Sequence, residues 1–180
     1  MAAATCPACE SRVEIPARTV KGFDLYTCLC GLKFMSGQQL KDVDYNTLYS
    51  DSGDYDKKVR LAEQLQRGQL RDVGAARRKA TDLIDAMVPP PRTAIEIGCG
   101  VGDFLQVLER KGLQCWGSDV SSKAIELART HLKNSTLTVG ILTPETFPGV
   151  RFDVAACWEV LEHVYEVQSF LKVIHDLLNP

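Results

Sequence analysis

From Thr93 to Leu178 the hydrophobic period switches repeatedly between strand-like and helix-like, and this alternation limits the folds open to the chain. "TAIEIG" is a short apolar run, and Phe104, Leu105 and Leu108 then fall on one helical face that stops at Gly112. "LQCWGSD" is a second strand. Ser121 or Ser122 is placed to cap the next helix, whose apolar face is Ala124, Ile125, Ala128 and Leu132. "TLTVGIL" and "FDVAACW" are a third and a fourth strand, and a last helix carries Phe170, Leu171, Ile174, Leu177 and Leu178. Strands separated by helices in units of about 30 residues pair in parallel, with helices on the sheet faces. The expected fold class is α/β, a doubly wound, Rossmann-like, mostly parallel sheet. "TPETFPGVR", between strands three and four, is too short for a full covering helix. A further strand is expected after "HDLLNP" and is absent from the sequence, so the sheet is expected to be incomplete, lacking its last strands.

The first strand runs into Gly98-Cys99-Gly100-Val101-Gly102 and then a helix. A dinucleotide site calls for G-x-G-x-x-G, with the third glycine one position later. That position is Asp103, whose charge would meet a pyrophosphate docked on the helix N-terminus. A dehydrogenase is disfavoured on this ground. S-adenosylmethionine carries no phosphate and needs close backbone approach plus an acceptor for its ribose hydroxyls. Gly98, Gly100 and Gly102 offer the first, and Asp119, 17 residues beyond Gly102, offers the second. Glu96 is placed to face the ammonium end.

"IEIGCGVGDFL", "WGSDVS", "FDVAACWEVLEHV" and "FLKVIHDLLNP", in that order, resemble a class I S-adenosylmethionine-dependent methyltransferase of the small-molecule type over residues 75–180. The resemblance implies that Gly98, Cys99, Gly100 and Gly102 wrap the methionine part. It implies that Asp119 holds the ribose, Val120 flanks the adenine, and residues near Leu142 close the adenine pocket. Backbone carbonyls at Cys157 and Trp158 meet the cofactor's amino group. Relatives often carry an acid just after the third strand; here "GILTPE" has only Glu145, somewhat late, which leaves adenine to backbone and apolar contacts.

Glu159, Glu162 and His163 stand at i, i+3 and i+4, one face of a helical turn, after the fourth strand. Three readings are open. Glu162 and His163 fix the loop by hydrogen bonding; His163 acts as general base toward a hydroxyl acceptor; or the three side chains hold a divalent metal that lowers the acceptor's pKa. The third resembles ubiquinone-biosynthesis O-methyltransferases and small-RNA 2′-O-methyltransferases.

Cys6-x2-Cys9 is followed, after 18 residues, by Cys28-x-Cys30-Gly31. Four clustered cysteines among seven, with no secretion signal, point to a zinc ribbon rather than a disulfide framework. Residues 1–40 also carry β-like runs such as "FDLYTC" and "LKFM". The arrangement resembles a ribbon that precedes the catalytic domain in a group of bacterial methyltransferases. The second knuckle is one residue short, so a structural zinc and a metal-free ribbon are both open. Cys99, Cys115 and Cys157 read as small buried hydrophobes.

The domain reading is a zinc-ribbon-like module at 1–40, a Tyr-rich linker at 41–56 with Tyr45, Tyr49 and Tyr55 as a lid, and a methyltransferase domain at 57–180. Within the last, Val73, Ala76, Ala80, Leu83, Ile84 and Met87 are expected on one helical face, and Gly68 and Gly74 divide the region into two helices. A net charge of −2 gives no reason to expect nucleic acid, although Arg77-Arg78-Lys79 is a local basic triplet. No basic-then-apolar leader opens the sequence, and no apolar run nears the roughly 18 residues of a membrane span, so a cytoplasmic protein without a membrane partner is expected. The functional expectation is methyl transfer to a small-molecule hydroxyl. The rivals are a non-catalytic fragment or pseudo-methyltransferase that serves as a binding module, and a metal-assisted RNA 2′-O-methyltransferase. Acceptor identity and oligomeric state are not legible in the sequence.

Overall fold

The computed structural model describes residues 3–20, 23–35, 55–69, 74–164 and 166–180. The chain forms two compact units. One takes in Met1–Val43 and Leu161–Lys172; the other takes in Asp44–Val160 and Val173–Pro180. This departs from the expected boundaries, because Leu161–Lys172 groups with the N-terminal residues. The Tyr-rich linker, with Tyr45 and Tyr49, lies outside the described residues except for its last two, which open a helix.

In the first unit, β1 (Ala4–Thr5) and β2 (Arg12–Val13) pair antiparallel, Ala4 opposite Val13. A second antiparallel sheet has the order β3 (Arg18–Val20), β4 (Phe23–Thr27), β5 (Lys33–Met35). Tyr26 on β4 is buried and stacks on Phe34 of β5, with ring centroids 5.5 Å apart. Ile15, Leu29 and Met35 are exposed. Little apolar area is hidden here, as expected for so short a chain segment.

The second unit opens with helices α1 (Tyr55–Gln66) and α2 (Gly74–Asp85), divided as the glycines predict. The sheet is β6 (Thr93–Ile97), β7 (Gln114–Asp119), β8 (Ser135–Val139) and β9 (Val154–Cys157), all parallel, in the order β8-β7-β6-β9. Helices α3 (Asp103–Arg110) and α4 (Ser122–Arg129) join β6 to β7 and β7 to β8. The expected doubly wound architecture is what forms. Phe104, Leu105, Leu108, Ala124, Ile125, Ala128 and Leu132 are buried in its core, as their periodicity predicts. No helix intervenes between β8 and β9.

Helix α2 corrects one expectation. Ala76, Leu83 and Met87 are exposed, while Thr81 and Ile84 are buried and Arg77 and Ala80 half-buried; Val73 lies outside the described residues. The helix turns Arg77 inward because a buried carboxylate, Asp103, awaits it there.

Helix α5 (Val167–Leu177) begins in the first unit and ends in the second. Leu178 then makes one parallel bridge to Phe152. The Phe152 amide donates to Leu177 O (2.9 Å), and its carbonyl accepts from Asn179 N (2.8 Å). Among the described residues no helix is long and apolar enough to cross a membrane.

Candidate functional site

Strand order reverses at β6: β7 continues on one side and β9 lies on the other. In open parallel sheets the crevice at the carboxyl ends of two such strands is where ligands bind. Ile97 and Cys157 are register partners at those ends, so the glycine turn and the Cys157-Trp158 segment begin side by side.

The turn spends its amides on the protein. Gly98 N and Cys99 N both donate to Ser118 O (2.7 and 3.0 Å), Gly102 N donates to Cys99 O (2.8 Å), and Gly100 N donates to Asp119 Oδ2 (2.7 Å). Four amides held inward leave a poor cradle for a pyrophosphate. The glycines also differ in purpose. A Cβ on Gly98, at φ 69°, would strike the Val160 side chain, and one on Gly102 would strike Leu132. A Cβ on Gly100, at φ 55°, would meet nothing within 4 Å. Gly98 and Gly102 are thus also required by internal packing, and Gly100 faces open space.

Asp119 ends β7. Its Oδ2 takes the Gly100 amide and its Oδ1 the Ser121 amide (2.8 Å), so both oxygens are oriented by backbone and each keeps a lone pair. Ser121, one of the two expected caps, caps α4: its Oγ accepts from Ala124 N at 3.2 Å. Val120 is half-buried and Leu142 buried.

Behind the turn lies a group of charges that sequence reasoning did not assemble. Arg77 Nη1 donates to Asp103 Oδ2 at 2.7 Å. Its guanidinium stands 5.5 Å from the Trp158 ring centroid and 6.0 Å from that of Phe104, and those two rings meet edge to face at 5.5 Å. Glu96 is 1% exposed, and its Oε2 has no hydrogen-bond partner; Trp158 Nε1 is likewise buried and unpartnered. Burial, and then the nearby Asp103 charge, push the Glu96 carboxyl well above the usual carboxylate range, with Arg77 pulling the other way. An orphan acceptor and an orphan donor beside an ion pair suit a zwitterionic ligand end better than a phosphate. Arg77 thereby leaves the basic triplet: its charge is spent inside the fold. The Asp103 argument against a dinucleotide is also modified, since Arg77 partly offsets that charge. The only sequence signal for the pair was a basic residue 26 positions before an acid at a helix start. Burial pushes the Cys99 thiol up, and that of Cys115 up to about 12, in keeping with inert core cysteines.

Past β9, Glu159 adopts φ 55°, in the left-handed region, and a three-residue 3-10 turn follows at Leu161–His163. Glu159 is therefore outside any helix, and the expected common helical face with Glu162 and His163 does not form. All three side chains are exposed.

The cysteines of the first unit do converge. The sulfurs of Cys6, Cys9, Cys28 and Cys30 all lie within 4.8 Å of one another, with Cys6–Cys30 at 3.7 Å and Cys9–Cys28 at 3.4 Å. Four thiolates at about 2.3 Å from a tetrahedral zinc stand about 3.8 Å apart, so the donor set fits a closed structural zinc site. The short knuckle is accommodated by a tighter turn. Gly31 N donates to Cys28 O (2.9 Å) where Glu10 N donates to Cys6 O (3.0 Å), and the residue after each second cysteine, Glu10 or Gly31, has positive φ. Hydrogen bonding with the Ser11 side chain and backbone lowers the Cys9 thiol to about 6, whereas burial and the neighbouring sulfurs push the Cys28 thiol up to about 12 against the pull of the Cys30 backbone, so the close Cys9–Cys28 pair shares its proton unevenly.

A methyltransferase-domain family model matches residues 70–180. Two similar curated proteins are ubiquinone biosynthesis O-methyltransferases. The one from Ruegeria pomeroyi is 36% identical over 90 residues, 48% of this chain and 36% of that protein. The one from Rhodopseudomonas palustris is 35% identical over 89 residues, 48% of this chain and 35% of that protein. The match thus spans about a third of the length of these relatives. Among solved structures, the plantazolicin methyltransferase BpumL in complex with SAH superposes with TM-score 0.55 at 16% identity, covering 79% of this chain and 57% of that one. The sugar N-methyltransferase KedS8 from Streptoalloteichus superposes with TM-score 0.54 at 17% identity, over 65% of this chain and 49% of that one. At these identities the structural likeness speaks for the fold.

Proposed function

The chain belongs to the methyltransferase-domain family, of the class I S-adenosylmethionine-dependent type, and from that premise we propose that its parallel-sheet unit binds S-adenosylmethionine and that the protein methylates a hydroxyl of a small molecule. The observation that carries the cofactor reading is the buried pair of orphan polar atoms, Glu96 Oε2 and Trp158 Nε1, beside a glycine turn with one open position. Bound there, S-adenosylmethionine supplies an electrophilic methyl group on a sulfonium with a good leaving group. The chain's task is then positioning and, for a hydroxyl, proton removal.

Gly98, Cys99, Gly100 and Gly102 shape the wall at the methionine part, and Glu96 accepts from the ammonium. The pre-oriented Asp119 carboxylate accepts from the ribose hydroxyls. Val120 and Leu142 line the adenine side, with the Cys157 and Trp158 backbone opposite. Glu162 and His163, on the turn after β9, are the candidate acceptor-side residues, His163 as general base. Oxygen as the accepting atom is favoured by the likeness to ubiquinone biosynthesis O-methyltransferases. Calorimetry with SAH tests the cofactor reading: one-site binding that Asp119→Ala weakens is expected, and no binding by the wild type refutes it. Turnover against a panel of phenolic and sugar hydroxyls, with His163→Gln as control, tests the second half. Unchanged turnover in that variant removes His163 from catalysis.

A further inference from the structure

Glu96 stands one residue before the end of β6, with Gly117 of β7 and Ala156 of β9 as its register partners. It is fully buried, and its Oε2 has no hydrogen-bond partner. Two more acids act on it, Asp103 from α3 and Asp119 from the end of β7. The cation opposing them is Arg77 of α2, whose Nη1 is committed to Asp103 Oδ2 at 2.7 Å. The same guanidinium is held against the Trp158 and Phe104 rings. Three carboxylates thus share one guanidinium.

The shortfall falls on Glu96. Asp103 has Arg77, and Asp119 has the amides of Gly100 and Ser121. Glu96 has only a backbone hydrogen bond from Leu105. Two thiols also lie within its field, Cys99 in the turn and Cys115 on β7, and burial keeps both neutral. An ionised carboxylate oxygen buried without a donor is costly, and like charges nearby add to the cost. Burial and then Asp103 accordingly hold the Glu96 carboxyl well above the usual carboxylate range. A ligand ammonium reverses the balance, because it brings a second cation and donors for Oε2.

We propose that Glu96 carries a proton in the free protein and gives it up to solvent when the ammonium of the cofactor's methionine part docks, so that one ammonium replaces one proton. The Glu96 carboxylic acid and the ligand ammonium become a carboxylate–ammonium pair, and the released proton goes to the buffer. This makes Glu96 a specificity-determining residue: a ligand without an ammonium leaves the proton in place and gains no ion pair. The inference rests on the cofactor reading above and deepens it. Because binding lowers the affinity of Glu96 for its proton, cofactor affinity rises with pH above the ordinary glutamate value of about 4.3.

The test is calorimetric titration of the full chain with SAH at pH 6, in three buffers of different ionisation heat. At that pH an ordinary glutamate is already ionised, and an α-amino group, with an ordinary value of about 8, is still protonated. The slope of binding heat against buffer heat counts the protons released. About one proton is expected for SAH, and about none for 5′-methylthioadenosine, which has no amino-acid end. Glu96→Gln keeps the shape of the side chain. It is expected to abolish the release and to lower the preference for SAH over 5′-methylthioadenosine about tenfold. Infrared difference spectra of the wild type need no variant, and SAH is expected to remove a protonated-carboxyl band. The proposal is overturned if SAH binds without proton release, if 5′-methylthioadenosine releases as much, or if the release persists in a folded Glu96→Gln. Absence of SAH binding would refute the cofactor reading and the exchange with it. A protonated-carboxyl band in the free wild type that Glu96→Gln lacks would still place the proton on Glu96.

Discussion

The ribbon unit and the sheet unit both hold a loop in a defined shape, and they do so by opposite means. The sheet unit holds its glycine turn by backbone hydrogen bonds to Ser118 and Asp119 and by side chains, Val160 and Leu132, that occupy the glycines' empty Cβ positions. Beneath the turn lies a continuous apolar core. Among the described residues of the ribbon unit few apolar side chains are buried, and its two knuckles converge on four sulfurs. One loop is therefore stabilised by packing spread over many residues, the other by a few strong bonds to one ion. The first is expected to tolerate loss of any single contact; the second is expected to fail all at once.

The largest effect should come from the ribbon. Structural zinc sites of this type contribute roughly 10–16 kcal/mol of apparent binding free energy. Cys6→Ser or Cys28→Ser should therefore abolish zinc retention and ribbon order. Elemental analysis and limited proteolysis check this: cleavage within residues 1–35 and an intact sheet unit are expected. Coupled loss of both units would break the comparison.

Next is Asp119→Ala. The substitution removes the acceptor of the Gly100 and Ser121 amides and the proposed ribose contact. Loss of charged hydrogen bonds worth about 1.5–3 kcal/mol each should weaken SAH binding about 10- to 100-fold by calorimetry.

The two glycine variants sharpen the comparison within the turn. Gly98→Ala meets Val160 as well as an unfavourable φ and should cost about 2–4 kcal/mol of stability. Gly100→Ala meets only the φ penalty, about 1–2 kcal/mol, yet should weaken SAH binding because its methyl enters the open space. Denaturant melts and calorimetry on both variants would contradict the account if the order of stabilities reversed.

The smallest effect concerns pH. His131 is buried, and burial lowers its pKa, although the nearby Leu127 carbonyl, the Glu109 carboxylate and the Val101 carbonyl pull the other way. A base whose folded pKa lies below its unfolded value of about 6.5 binds fewer protons when folded, so stability falls as pH drops below that value. Asp153 acts in the same direction at lower pH. The Arg92 amide, then Asn179, lower its carboxyl to about 2, so the stability it lends is present above the ordinary aspartate value and lost as pH falls toward 2. His131→Leu should flatten the upper part of this acid limb in melts between about pH 5 and 7.

Much of the sheet unit was legible in the sequence because its signals are local. Periods of two and about 3.6, a capping serine and a strand ending in Asp119 each lie within a few residues of what they determine. The cysteine cluster was legible because two close pairs of thiols at this separation match the spacing of a four-thiolate metal site. The Arg77–Asp103 pair was not legible, since a helix must rotate in three dimensions before an arginine that looks like surface charge meets a buried carboxylate. Nor was the grouping of Leu161–Lys172 with the N-terminal residues, which joins segments more than a hundred positions apart. The helical reading of "WEVLEHV" failed for a local reason of another kind. Glu159 takes a left-handed φ that no pattern of residue types announces, and the helical face ends there.

The central claim is that the sheet unit is a cofactor site complete without the ribbon's metal. Calorimetric titration of the full chain with SAH, before and after chelation, tests it most directly. The account predicts one saturable site whose affinity is unchanged by chelation and weakened by Asp119→Ala. Absence of binding in the zinc-loaded protein, or heat of binding with a dinucleotide in its place, would contradict it.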